Sequence, residues 1–466
     1  MYVLLLAAVS ARAQDPAPEA FVVRHARLEM AIDHATQRLH GTVTYELENW
    51  TRRPARQVSF LVNRLMDASA VHDGAGTTLQ YAQDVVRFHD TPMRQVTQVR
   101  VTLPRPIPGG GQTTVRIDYA GNLVGYTEVG WLYVHDRIDS AFTIIREDAL
   151  AFPVIGGLSD EANRKRPRPE FTYDAAIRVP ARYLVATGGA LTRSPHDDGT
   201  VTWRYISAGP SPFLNVSVAP YDTIVEGGVH LFHFHADSVG ARRTITNAQA
   251  AMQLLAQWFG PQRTTLNLTI AEIPDGWGSQ ASLVGGIIQT ASAFRDPGRS
   301  GELYHELSHL WNARDTDTPS PRWNEGLASF LEGLLRERVD GWAGRRESET
   351  RTLAWAQKTA AGGALLRDVP MLDYGRRGLT DYSYSVGKLM FATLYDVMGE
   401  EQFNRIVGGY YQQFAQGGST RDFMAFAKQS SSRNLDAFFA DWMLTSRWVE
   451  LAAGASSIGD LANHYR

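Results

Sequence analysis

The chain contains no cysteine. Disulfides, cysteine-bearing zinc fingers and a cysteine nucleophile are therefore excluded, as is lipid attachment at an N-terminal cysteine. Lysine is scarce too, supplying four of the 46 basic residues. That bias toward arginine fits coding preference rather than chemistry. No sign of charge dominates: the formal net charge is -3, which gives no electrostatic case for a nucleic-acid partner. No run of about 18 apolar residues occurs beyond the first residues, so no transmembrane segment is expected. What remains is a globular composition, 44% hydrophobic and 20% charged, rather than a disordered or fibrous one. At 466 residues the chain is too long for one ordinary core, and two or three domains are expected.

The N-terminus reads as an export signal at residues 1–13, although it lacks a positively charged start. Val3 to Ala11 is apolar and small, and Ala11-Arg12-Ala13 forms a small-x-small cleavage pattern before Gln14. An exported protein, periplasmic or secreted, is the resulting expectation. Residues 20–225 read as a β-rich domain. Val43-Thr44-Tyr45-Glu46-Leu47 and Val115-Arg116-Ile117-Asp118-Tyr119 alternate as half-buried strands, and the clusters Gly109-Gly110-Gly111 and Gly188-Gly189 punctuate them as turns. After about residue 225 the period changes. Arg242 to Trp258 has helical spacing through Ile245, Ala248, Met252 and Leu255, Leu266 to Ile270 alternates as a strand, and helices are predicted over 301–313, 322–338, 344–361 and 384–397. A β domain followed by a mainly helical one at 226–450, with a tail at 451–466, is an α+β organisation.

His305-Glu306-Leu307-Ser308-His309 carries the chemistry. Residues four apart share a helix face, so His305 and His309 can direct two imidazoles at one ion. Two neutral histidines, one carboxylate and one open position make a catalytic zinc site, and Glu325 in Trp323-Asn324-Glu325-Gly326 supplies the carboxylate. Ser300 is a plausible N-cap and Glu302 suits the first turn. Leu303, Leu307, Leu310 and Trp311 form an apolar stripe opposite the histidines. From His309 a helix running to Ala313 rises about 6 Å, the Asp, Thr and Pro of residues 314–320 make a turn, and a new helix from Pro321 returns about 6 Å to Glu325, level with His309. Glu332 lies on the same face as Glu325 and can orient a histidine ligand from behind. One zinc ion per chain follows. It would lower the pKa of a bound water from about 16 to about 7, with Glu306 accepting that proton and passing it to the leaving amine.

These residues resemble the zinc aminopeptidase family typified by aminopeptidase N, within the gluzincins. The match runs from His305 to Trp311, from Trp323 to Glu332, and through Tyr384-Ser385-Val386-Gly387, where Val386 replaces the lysine of the family's Tyr-x-Lys-Gly segment. The resemblance implies that Tyr384 is the oxyanion donor. It also implies a saddle-like, sandwich-type N-terminal β domain and a thermolysin-like catalytic domain. The large helical C-terminal domain of many members has no room here, so an open active site is expected. The segment between His309 and Glu325 is shorter than in the family. The Gly-x-Met-Glu-Asn segment, whose glutamate grips a substrate's α-amine, corresponds to residues 275–286, and no carboxylate lies between Asp275 and Asp296. That stretch can still align a peptide along a strand edge, with Ser282, Gly285 and Gly286 as candidate substrate-binding positions.

The resemblance thus implies a zinc metallopeptidase with a peptide substrate, acting as an aminopeptidase on short peptides. Endopeptidase action follows if nothing replaces the amine anchor. An epoxide-hydrolysing relative and a non-catalytic interaction module on the same scaffold are the alternatives. His233 and His235, two apart without a carboxylate partner, read as surface or packing histidines.

Overall fold

A computed structural model describes residues 19–466 except 168, 264–266, 283–285 and 364, together with the backbone but not the side chain of Ser282. The export segment at residues 1–13 therefore lies outside the described residues, as does Gly285.

The first domain is built from strands that alternate between core and solvent. In Arg38–Asn49 the residues Leu39, Val43, Tyr45 and Leu47 are buried, while their neighbours face outward. Its antiparallel partner, Phe21–Asp33, is reached through a turn in which the Asp33 carboxylate accepts from the backbone N–H groups of Ala35 and Thr36. These two strands lie within a seven-stranded sheet, and Thr172–Pro180 pairs with Phe21–Asp33 in parallel. A four-stranded and a three-stranded sheet complete the domain.

The second domain begins on a five-stranded sheet. Its order is Asp222–Glu226, Val229–His233, Leu268–Ile273, Gly286–Thr290 and, at the edge, Gln280–Ser282. The central pairs are parallel and the outer ones antiparallel. Both faces of this sheet are covered, and alternation assigns them. Leu231, Leu268, Ile270 and Ile287 join the helical core, whereas Phe232, Ala271, Ile273 and Ile288 join the core of the first domain. The sheet is thus the layer through which the two domains share buried surface. Close approach at this seam requires glycine: a Cβ on Gly286 would come within 2.8 Å of the Gly188 backbone nitrogen.

Helices pack on the other face. Ser238–Phe259 buries Ile245, Ala248 and Leu255 at helical spacing. Against it lie Ser300–His309 and Trp323–Val339, and then Tyr382–Met398. The final helix, Ile458–Asn463, buries Leu461 and Ala462 against Tyr382–Met398. No helix among the described residues is long and apolar enough to cross a membrane.

Three local expectations differ in detail. The helix predicted over 301–313 ends at His309, because Leu310, Trp311 and Asn312 donate to carbonyls three residues back and tighten the chain into a turn. Ser300 is the first helical residue rather than the cap, and its hydroxyl bonds to Asp340 instead. The returning helix starts at Trp323 rather than Pro321, because Arg322 adopts a left-handed conformation.

Candidate active site

The helix Ser300–His309 presents its leucines inward and its histidines toward a cleft. Leu303, Leu307, Leu310 and Trp311 are all buried, and Trp311 Nε1 donates to the Gly260 carbonyl at 2.9 Å, which fixes the end of the helix. Helix Trp323–Val339 runs back beside it and brings Glu325, in its first turn, opposite both imidazoles. A carboxylate there is also favoured by the positive end of the helix dipole.

Glu325 Oε2 lies 3.3 Å from His305 Nε2 and 3.3 Å from His309 Nε2. Bonds of about 2.0–2.1 Å in tetrahedral array place neighbouring ligand atoms roughly 3.3 Å apart. The donor set and its spacing therefore fit a small divalent ion, and these three residues form the metal-capable group found among the described residues. Burial by itself would raise the Glu325 carboxyl, but His309, His305 and Arg322 together hold it well below the usual carboxylate range. It is ionised, as a metal ligand must be.

The groups around this trio are placed by neighbouring elements. Glu306 is buried, and its burial, reinforced by the charges of Glu325 and Glu302 against the opposing effects of His305 and the Ala281 backbone N–H, pushes its carboxyl up to about 7. The Ala281 contact also puts the edge strand Gln280–Ser282 beside the motif helix. Tyr384, on helix Tyr382–Met398, stacks its ring on His305 with centroids 5.9 Å apart. Burial, followed by the Glu325 charge, raises its hydroxyl above the ordinary tyrosine value, so it keeps its proton. Val386, where the family resemblance has lysine, is fully buried. Glu332 Oε2 stands 3.9 Å from His305 Nδ1, at ion-pair rather than hydrogen-bond distance.

Three features escaped sequence reasoning. The Asn312 amide lies 3.2 Å from His309 Nδ1 and 3.3 Å from the Asn324 carbonyl, linking His309 to the start of the next helix. Only its position three residues beyond His309 hinted at this. Arg322 donates to Glu325 Oε1 at 2.5 Å and to the Tyr384 hydroxyl at 3.2 Å. Gly326 and Gly387 touch: a Cβ on Gly326 would lie 2.4 Å from the Gly387 Cα. The helices carrying Glu325 and Tyr384 cross at that point, and any side chain would separate them.

A crystal structure of an M1 zinc metallopeptidase mutant from Deinococcus radiodurans, bound to a Tyr-Ser-Ala substrate, superposes with a TM-score of 0.66 over 93% of this chain and 96% of that one, at 20% identity. This chain has the two-domain fold of an M1 zinc metallopeptidase. A second such structure, a two-domain M1 zinc metallopeptidase mutant bound to L-tryptophan, covers 95% of this chain and 97% of its own with a TM-score of 0.63 and 20% identity. Among curated proteins, a leukotriene A-4 hydrolase homolog of Botryotinia fuckeliana (strain B05.10), a related M1 member, is 24% identical over 69% of this chain. The chain spans about half the length of that relative (50%). No protein-family model matches.

Within the M1 fold the remaining expected positions can be located. Ser282 ends the edge strand beside Glu306. Gly286 opens the next strand with its Cα turned to Gly188 of the first domain, so packing explains that glycine. His233 bonds to the Phe234 carbonyl, and the exposed His235 pairs with Asp222 at 2.7 Å from a short turn rather than the strand itself. Neither joins a metal-capable group among the described residues.

Proposed function

We propose that this chain is a zinc-dependent metallopeptidase that hydrolyses short peptides, with His305, His309 and Glu325 holding the ion. The observation that carries this reading is the single Glu325 oxygen lying 3.3 Å from both imidazole nitrogens, with Glu306 and Tyr384 on the same cleft.

Zinc, when bound, acidifies a water and polarises the scissile carbonyl. Glu306 takes up the proton released as that water attacks and delivers it to the departing amine. A carboxyl raised to about 7 is well matched to both halves of that task near neutral pH. The Tyr384 hydroxyl, which retains its proton, donates to the carbonyl oxygen as negative charge develops there. Glu332 and Asn312 steady the two imidazoles from behind. Strand Gln280–Ser282 has one edge paired with Gly286–Thr290 and offers the other to an extended substrate.

Aminopeptidase action on short peptides is the leading specificity, supported by the fold shared with a relative that holds a tripeptide. The absence of any carboxylate between Asp275 and Asp296 favours a second reading, internal cleavage, because the usual grip on a free amine is missing. Mass spectrometry of a peptide mixture digested by the zinc-loaded protein separates the two. Stepwise loss from the amino end supports the first, internal cuts support the second, and no cleavage of any peptide removes both. Export is proposed from residues 3–13, and sequencing the N-terminus of the mature protein from a periplasmic or culture fraction tests it.

A further inference from the structure

We infer that Arg322 is a positioning residue that sets how Glu325 meets the metal and how Tyr384 presents its proton, an inference that rests on the peptidase reading above. One guanidinium nitrogen, Nη2, makes both contacts, to Glu325 Oε1 at 2.5 Å and to the Tyr384 hydroxyl oxygen at 3.2 Å. The guanidinium carbon also stands 5.6 Å from the centre of the Tyr384 ring.

The two oxygens of Glu325 are thereby divided. Oε2 faces both imidazoles, while Oε1 is held by Arg322. A carboxylate tied at one oxygen would offer an ion chiefly the other, so Arg322 would favour binding through Oε2. It also withdraws negative charge from the ligand. On the other side, a tyrosine oxygen that accepts from Arg322 must turn its own hydrogen elsewhere, toward the Glu325 carboxylate in the free protein and toward the substrate carbonyl once the reaction supplies that acceptor. Arg322 thus couples two groups 59 positions apart in the chain, on different helices.

The backbone shows how this side chain is delivered. Arg322 has φ of 58° and ψ of 34°, a left-handed conformation that non-glycine residues seldom adopt. It also stands immediately before the first turn of helix Trp323–Val339, where the helix dipole disfavours a cation. Neither feature helps the helix form. The peptide group just before it is held at both of its polar atoms: Ser320 Oγ accepts from the Arg322 N–H at 2.9 Å, and Ser383 Oγ, from the tyrosine-bearing helix, donates to the Pro321 carbonyl at 2.7 Å. The conformation sends the side chain back over the first turn to Glu325 rather than outward.

The test uses the full chain and the variants R322Q and R322K, each with zinc affinity measured by chelator competition, kcat and KM measured separately on a cleaved peptide, and folding checked by circular dichroism. R322Q should bind zinc about 10- to 100-fold more weakly and lose about 10-fold or more in kcat, with KM within about threefold. R322K, which keeps the charge without the planar fork, should recover part of both and stands in if R322Q does not fold. In a Tyr384→Phe background, R322Q should cost less in kcat than it does alone. Wild-type zinc affinity in folded R322Q, an effect confined to KM, or an equal kcat loss with and without the Tyr384 hydroxyl would each overturn the inference. Glu306→Gln is run alongside. Turnover in that variant would remove proton transfer at Glu306, and no cleavage of any peptide by the zinc-loaded wild type would remove the peptidase reading itself, while the zinc-affinity measurement still decides the role of Arg322 toward Glu325.

Discussion

Glu306 is a carboxyl whose neighbours pull in opposite directions: burial and two nearby acids raise it, and His305 and a backbone N–H lower it. Because it is not one of the three clustered donors, Glu306→Gln should retain zinc at one equivalent, read by metal analysis, and lose turnover. Measurable turnover in that variant would exclude proton transfer at this residue. Tyr384→Phe removes one hydroxyl and leaves the ring stacked on His305. On the proposed mechanism it should lower kcat by about 10²–10³ while KM changes little, because the hydroxyl would then serve charge that forms only during reaction. A change confined to KM would take Tyr384 out of that role.

At the scale of elements, the cleft depends on how closely two helices cross. The contact between Gly326 and Gly387 sets the distance from Glu325 to Tyr384, and added methyl groups would meet backbone atoms that have nowhere to move. Gly326→Ala should therefore cost about 1–3 kcal/mol in denaturant unfolding and reduce kcat together with zinc affinity. Stability without loss of activity would show that the crossing tolerates more space than its geometry indicates. The parallel strand Leu268–Ile273 holds a second acid, Glu272, that is fully buried beneath the seam between domains. Burial first, and the Asp237 side chain second, push its carboxyl up to about 9. The folded chain thus keeps a proton there that the unfolded chain releases above an ordinary carboxyl value of 4.5. Stability from this group is complete below that value and is lost as pH rises toward about 9. Glu272→Gln should flatten the pH dependence of unfolding between those limits and raise stability at the alkaline end.

Across the whole molecule, a buried ion pair ties the domains together. Arg146 holds Asp136 with two nitrogens and donates from its third, Nη1, to the Trp277 carbonyl at 3.0 Å, linking the first domain to the loop before the edge strand. Burial pushes Asp136 up to about 6 even with Arg146 against it. Arg146→Met would leave that carboxyl buried alone, at a cost of about 3–5 kcal/mol in denaturant unfolding. Adding Asp136→Asn should recover part of it, because the unpaired charge goes as well. An unaffected single variant would mean that the junction does not need the pair.

The metal-capable trio was legible because its rules are local. Helical spacing puts His305 and His309 on one face, the apolar stripe turns that face to the cleft, and a short return segment leaves Glu325 few places to be. The β-to-helical change of pattern likewise announced two domains. Arg322, Asn312 and the Gly326–Gly387 contact were not legible, because each takes its meaning from a partner brought near by packing, and one of them depends on a left-handed backbone that no local preference favours for arginine. The assignment of the central sheet's faces belongs to the same class: alternation shows that Ile270 and Ala271 point in opposite directions, but only the assembled layers decide that one faces helices and the other the first domain. Short-range periodicity thus determined which side chains could share an ion, and long-range packing decided which groups would hold them there.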